Sequence, residues 1–243
     1  MKRKYALLIS ILLTLLIATN FAFFQLAENQ KTIFVTRVID GDTFEAGEEK
    51  FRLININTPE KSENGYKEAK DFLSEIENTS VHVEEISTDK YGRTLVRVYS
   101  PDYVNLQLIE KGLATKFLVQ ESELELFDEA EKNAVESGLG LWQKSNLYGC
   151  IETQLSAETE ILQIMSKCGK INIKGFIVSD ESRKRYKFQD IEIGGVNLHS
   201  SEGKDNETDI FWNSKMGIWN NDRDTAHIFD SEGNLVYHRS YGY

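Results

Sequence analysis

Proline is nearly missing from this chain, with two residues in 243, and cysteine is equally scarce. With so little proline and 28% charged residues the composition is not that of a disordered chain, so a globular protein is expected. The length suits two domains of about 100 to 200 residues each. Basic residues are in deficit: 28 Lys and Arg face 39 Asp and Glu, a formal net charge of −11. That balance argues against a protein that holds nucleic acid through a general basic footprint. Histidine is limited to His82, His199, His227 and His238, scattered without ligand spacing, which reads as structural. No internal repeat and no low-complexity segment occurs. Cys150 and Cys168 form the one available pair, either two buried thiols or, in an exported protein, a disulfide.

One long apolar run is present. Lys2, Arg3 and Lys4 precede a stretch without charge from Tyr5 to Phe24, so residues 1–30 read as a signal peptide or an N-terminal membrane anchor. Phe21, Phe23 and Phe24 crowd the place of a small-x-small cleavage pattern, which favours the anchor. The basic flank precedes the span and puts the remaining chain outside the cytoplasm. No lipobox-like cysteine follows.

Short β-branched segments then dominate: "TIFVTRVI", "DTFEAG", "KFRLININ", "SVHVEEI" and "TLVRVYS", bounded by Gly, Asp, Asn or Ser. Gly47 suggests a hairpin turn. Helical periodicity appears in "GYKEAKDFLSEIEN", with Ala69, Phe72, Leu73 and Ile76 on one face, in "VNLQLIEKGL", and in "ELELFDEAEKNAVESG". Five strands with helical cover predict a small β-barrel over residues 31–150. Beyond "GLWQKSNLYGC" helical periodicity fades, and "ILQIMS", "INIKGFIVSD", "KFQDIEI", "DTAHIFD" and "NLVYHRSY" predict a β-sandwich over residues 151–243. The fold class is mainly β with α.

In "VIDGDT", Gly41 permits a tight bend, from which an aspartate can either cap the turn or bind a hard cation. In "FRLININTPE", Arg52 alternates with Phe51 and Leu53 and so faces away from the core, as a surface ion pair or a fork for phosphate. Asn57, Thr58 and Glu60 supply oxygen at the strand end. With Asp42 they could share one calcium ion, and Glu60 could orient or deprotonate water, or be an exposed loop acid. In "TDKYGRTLVRVY" a turn at Tyr91-Gly92 leads to Arg93, which could stabilise charge on a phosphate in displacement or simply face solvent.

The order and spacing of "DGDT", "FRLININTPE", "DKYGR", "KGLA" and "GLGLW" resemble the thermonuclease (micrococcal-nuclease-like) family over about Thr32 to Trp142. The resemblance implies an OB-fold barrel and metal-dependent cleavage of DNA or RNA phosphodiesters. It implies that Asp42 ligates calcium, that Thr58 does so through its backbone carbonyl, and that Glu60 is the general base or water positioner. Arg52 and Arg93 would polarise the phosphate, and Tyr91 would lie against the nucleotide. Two departures stand out. Asn57 replaces the family's usual aspartate, removing one negative charge from the metal site. "TKFLVQ" lacks the tyrosines found after "GLA" in the family, which weakens nucleotide binding.

The second half resembles a lamin-tail domain over about Glu158 to Tyr243. Gly175-Phe176 and the run Trp219, Asn220, Asn221, Asp222, Asp224, Thr225 and Ala226 before "FDSEGNLV" carry the likeness. It implies an immunoglobulin-like sandwich and no chemistry. Phe211, Trp212 and Trp219 read as its core. "SRKRYK", Ser182 to Lys187, reads as a solvated hairpin tip or as a contact for nucleic acid or an anionic polymer. The whole predicts an exported calcium-dependent nuclease, at the cell surface or secreted, with DNA or RNA as substrate. The rivals are a non-catalytic nucleic-acid-binding module and an envelope interaction protein. Neither needs a water-positioning acid beside a metal.

Overall fold

The structure is a computed structural model that describes residues 5, 9, 11–19 and 31–243. Residues 11–19 are helical with exposed apolar side chains, and the rest of the expected leader or anchor lies largely outside the described residues. No helix among the described residues is long and apolar enough to cross a membrane.

The first sheet runs β1 (Lys31–Phe34), β6 (Ser80–Thr88), β7 (Thr94–Tyr99), β4 (Glu49–Leu53), β3 (Thr43–Ala46), β2 (Arg37–Val38). Its two outermost members are consecutive in the chain, separated by Val35 and Thr36 alone. Val35 donates its N–H to Thr79 O at 2.9 Å, and Thr36 donates to Glu45 O at 2.8 Å. One bent strand therefore borders both ends of the sheet and curls it toward a barrel, which removes its open edges. Counted once, that strand makes the five of the expected OB-fold. β4 and β7 pair in parallel, and every other neighbour in this sheet is antiparallel.

Strand alternation fills the interior. Phe51 and Leu53 of β4, Val81 and Val83 of β6, and Val96 and Val98 of β7 are buried, while Arg52 points to the other face. Phe44 stacks on Phe51 with ring centroids 5.3 Å apart. Helix α1 (Tyr66–Ser74) closes one end with Ala69 and Leu73, and α2 (Val104–Glu110) and α3 (Leu124–Ser137) cover another flank. α1 stops at Ser74, where Glu75, Ile76 and Glu77 donate to the carbonyls three residues back, and Asn78 with a left-handed φ of 60° then turns the chain into β6. A two-stranded ladder of β5 (Ile56–Asn57) and β8 (Thr115–Lys116) stands beside the barrel.

Two four-stranded sheets follow. One is β16 (Asp209–Phe211), β15 (Gly195–His199), β10 (Ile161–Ser166), β9 (Ile151–Ser156); the other is β13 (Arg185–Lys187), β12 (Ile177–Ser179), β17 (Asp224–Phe229), β18 (Leu235–Tyr241). A small ladder of β11 (Ile171–Asn172) and β14 (Glu192–Ile193) lies between them in sequence. Leu162, Ile164 and Val196 from one sheet and Val178, Ile228 and Val236 from the other share a single core with Trp219. Trp212 packs at its margin, and Phe211 instead stacks on His199 at 4.7 Å. Cys150 and Cys168 are disulfide-bonded, tying the start of β9 to the turn after β10.

Barrel and sandwich meet at Trp142. Its side chain is fully buried, its ring stacks on His227 at 5.4 Å, and the edge of His238 lies at 5.5 Å. Ala134 and Val135 of α3, Leu141 and Leu235 complete this cluster. Main-chain bonds cross the seam beside it, from Ser145 N–H to Leu235 O at 2.9 Å and from Leu235 N–H to Gln143 O at 2.7 Å.

The histidines are less scattered than their spacing suggests. His227 and His238 face each other across β17 and β18, and Glu131 of α3 meets them with ligand atoms all within 4.8 Å. Lys116 already supplies the cation there, its Nζ 3.3 Å from Glu131 Oε2. Burial works to raise the Glu131 pKa, but the His238 hydrogen bond and the Lys116 charge hold it well below the usual range. Burial, with His238 next, pushes His227 down to about 3 from 6.5; Arg183 and Lys116 add to this and Glu131 opposes it.

Because the unfolded chain protonates His227 below about 6.5 and the folded chain does not until about 3, stability attached to this residue falls as pH drops through that window. Glu181 and Asp224, raised by burial to about 7 and about 6, titrate with the opposite sign, so the residue must be isolated by comparison with a variant. Urea unfolding of wild type and His227→Gln should diverge by up to about 1.4 kcal/mol per pH unit below 6.5, the wild type losing more. Parallel stability curves would show that His227 is not buried neutral.

Candidate active site

The corner between β4 and β5 assembles the site. Asn55 sits there at φ 67°, a left-handed conformation that asparagine tolerates better than most residues. Its Oδ1 accepts from Gln120 N–H at 3.0 Å and its Nδ2 donates to Glu123 Oε2 at 2.7 Å, so the corner is bolted to the turn before α3. The chain then doubles back and sets Asn57 and Thr58 beside Arg52.

Arg52 is braced on both terminal nitrogens. Nη1 donates to Leu53 O at 2.7 Å and Ile56 O at 3.1 Å; Nη2 donates to Asn57 Oδ1 at 3.0 Å and lies 3.1 Å from Asp42 Oδ2. The Asp42 side chain is 9% exposed and that of Arg52 12%. Asp42 comes from the β2–β3 turn, whose Gly41 is required by space: a Cβ there would stand 2.7 Å from Ala69 Cβ and 2.9 Å from Thr58 Oγ1. The turn is therefore pressed against both α1 and the "TPE" segment, and Lys70 of α1 donates to Ile39 O at 2.8 Å to hold it. Asp42 Oδ1 accepts from Thr43 Oγ1 at 2.8 Å, and Oδ2 accepts from Thr58 N–H at 3.3 Å.

Thr43 links the second arginine to this pair. Arg93 Nη1 donates to Thr43 Oγ1 at 3.5 Å, while Arg93 Nε donates to Asp89 Oδ2 at 2.7 Å. Tyr91 is 72% exposed, with Arg93 Cζ 5.5 Å and Lys90 Nζ 5.0 Å from its ring centroid. Arg52, Asp42, Asn57, Thr58 and Arg93 thus form one connected group, with Tyr91 at its open margin. Glu60 lies just beyond, exposed, its carboxylate without a hydrogen bond among the described residues. Its backbone N–H donates to Glu63 Oε2 at 2.9 Å.

Three contributors escape a reading of the motifs. Asp40 is pushed up to about 6 by burial and by the Asp42 carboxylate, marking a second acid in the same turn; the doubled aspartate of "DGD" was its one signal. Asn55 was signalled only by its place in "ININ". Glu63, paired with Arg183 and Arg185 from the sandwich, had no local signal at all.

The family described as Staphylococcal nuclease homologue matches residues 50–144, a range that holds Arg52, Asn57, Thr58, Glu60, Tyr91 and Arg93. A Haemophilus influenzae protein named "Uncharacterized endonuclease" is 32% identical over 143 residues, covering 56% of this chain and 80% of the relative. The thermonuclease of Staphylococcus hyicus is 32% identical over 130 residues, 47% of this chain and 77% of its own length. The micrococcal nuclease of Shigella flexneri is 29% identical over 129 residues, 46% and 74% respectively.

Removing Arg52 leaves the Asp42 carboxylate buried beside Asp40 without its counter-ion. Arg52→Gln should lower stability by about 3–5 kcal/mol in urea unfolding, the usual cost of breaking a buried pair from one side. A loss below about 1 kcal/mol, typical of surface pairs, would mean that the pair does not hold the corner.

Proposed function

The chain belongs to the family of staphylococcal nuclease homologues, and on that premise we propose that it is an exported, calcium-dependent nuclease that hydrolyses phosphodiester bonds of DNA or RNA. Nuclease activity follows from the family. The observation that carries the finer reading is the Thr43-centred group, in which a buried carboxylate, two arginines and the oxygen donors of the "NTPE" segment converge.

The donor set fits a hard cation. Asp42, Asp40, the Asn57 amide oxygen and the Thr58 carbonyl are all oxygen ligands of the kind calcium takes. Charge points the same way. Four acids, Asp40, Asp42, Glu60 and Asp89, balance Arg52, Lys70, Lys90 and Arg93, so the group carries no net excess of positive charge to draw a phosphate in. An anionic phosphodiester enters such a field only with an added positive charge. Calcium held by these residues would supply that charge and would polarise a phosphoryl oxygen.

The chain's own residues do the rest. Arg93, positioned by Asp89 and Thr43, presents its remaining N–H groups to a phosphate oxygen. Arg52 lies under the same place, fixed by two backbone carbonyls. Tyr91 offers an exposed face for a base or sugar. Glu60, two residues past Thr58 and with its carboxylate exposed, orients or deprotonates the attacking water.

The Cys150–Cys168 disulfide supports an oxidising location. With the basic-then-apolar start of the chain, it supports a protein outside the cytoplasm, held at the membrane by residues 1–30 or released from them. The sandwich is read as an accessory domain of lamin-tail type.

Cleavage of single- and double-stranded DNA and of RNA should require calcium, stop on chelation, and weaken as salt rises. Glu60→Gln should lower kcat by about 100-fold or more while the protein still binds calcium. Asn57→Asp should tighten calcium binding in calorimetry. Cleavage that ignores chelator and survives Glu60→Gln would sink the mechanism.

A further inference from the structure

The loop that carries Glu60 is clasped from the sandwich. Glu63 N–H donates to Glu60 O at 2.7 Å and Glu63 Oε2 accepts from Glu60 N–H at 2.9 Å, so the two residues close a turn on themselves. The side chain that makes this turn is 10% exposed and takes two cations from the other half of the chain: Arg185 Nη1 at 2.9 Å from Oε1, and Arg183 Nη2 at Oε2. Both arginines belong to the "SRKRYK" run. The two arginines are therefore not solvated as a hairpin tip would be, the Arg183 side chain being 9% exposed, while Lys184 and Lys187 do face solvent.

Arg183 is aimed by strain. Its φ of 67° lies in the left-handed region that arginine rarely adopts, and Asp180 holds the turn in that form. Asp180 Oδ1 accepts from Lys184 N–H at 2.7 Å, Oδ2 accepts from Ser182 Oγ at 2.6 Å, and Asp180 O accepts from Arg183 N–H at 3.2 Å. Burial and the Arg183 charge lower Arg185 to about 10, against the pull of the Glu63 and Glu60 carboxylates, so Glu60 lies within electrostatic reach of the clasp. The β17–β18 turn adds a second touch, Gly233 packing so near Asn64 that a Cβ there would stand 3.2 Å from its Nδ2.

We propose that Arg183 and Arg185 are positioning residues of the nuclease: through the Glu63 carboxylate they hold the Glu60 loop, so that the sandwich completes the active site. The proposal rests on the reading of Glu60 as the residue that handles water. Two guanidinium groups on one nearly buried carboxylate leave it little rotational freedom, and the same oxygen fixes the Glu60 backbone. The contact acts through geometry and not through the substrate, because both arginines already pair with the Glu63 carboxylate, one on each oxygen.

Full-length wild type, Arg183→Ala/Arg185→Ala, Glu63→Gln and the triple variant separate these roles, with Lys170→Ala/Lys174→Ala as a control of equal charge change on the sandwich. The expected result is a fall in kcat of about 10- to 100-fold with KM within about threefold, equal in the double and Glu63→Gln variants and no larger in the triple. Hydrogen exchange of residues 58–65 should speed up in all three, and Arg183→Lys/Arg185→Lys should recover part of the rate. If the double alanine variant does not fold, Glu63→Gln carries the same two readouts. Unchanged exchange over 58–65, unchanged kcat, or an effect confined to KM overturns the proposal. A wild type that cleaves nothing overturns the nuclease reading and with it the catalytic role, while exchange reports on the clasp separately.

Discussion

The Asp42 carboxylate and the Arg52 guanidinium stand 3.1 Å apart with little access to water. Desolvating two charges costs several kcal/mol per ion, and their attraction alone does not offset it unless the remaining donors and acceptors are also satisfied. The surroundings meet that condition atom by atom. Asp42 receives Thr43 and the Thr58 N–H, and Arg52 receives two carbonyls and the Asn57 amide oxygen. Each partner sits where it does because of a backbone feature: Asn55 with its positive φ, Gly41 with no room for a Cβ, and the register that pairs Thr43 with Arg52. The ion pair and the corner thus specify each other.

The same pair explains how an acidic chain can be built to act on a polyanion. Exposed pairs such as Lys31 with Glu85 and Lys67 with Asp71 contribute little. Attraction for phosphate must be local and conditional. Asp42 Oδ2 and Asn57 Oδ1 hold Arg52, and Asp42 and Asn57 are also the residues proposed to take calcium. An amide at position 57 keeps this group one charge less negative than a carboxylate would, so on that proposal affinity for metal and freedom of the arginine would be tied to one side chain.

Much of the barrel was legible because its strands are short, alternating and bounded by turn residues; Phe51, Arg52 and Leu53 declare their faces in three letters. The connected group was legible for the same reason, since its members lie on a few contiguous motifs. The bend at Val35-Thr36 that makes one strand into two carries no Gly or Pro to announce it. Asp40 looked like turn chemistry until burial beside Asp42 raised it. The His227, His238 and Glu131 group was invisible because a strand register and a helix from the other half bring it together. The arginines of "SRKRYK" were misread for an allied reason: a basic run at a turn looks solvated unless the carboxylate that buries it is known, and Glu63 lies 120 residues away in the chain.

Several contacts join barrel and sandwich, and two of them differ in kind. The Trp142 cluster is apolar and nearly non-directional, and the main-chain bonds of Ser145 and Gln143 with Leu235 lie beside it. The Glu63 clasp is charged and directional, one arginine on each carboxylate oxygen, and it adds to the apolar contact a second point of attachment. Since this attachment falls on the loop that carries Glu60, one carboxylate touches both the sandwich and that loop. On the proposed reading of Glu60 as the acid that handles water, a change that loosens the sandwich would reach that residue before it reached the barrel core.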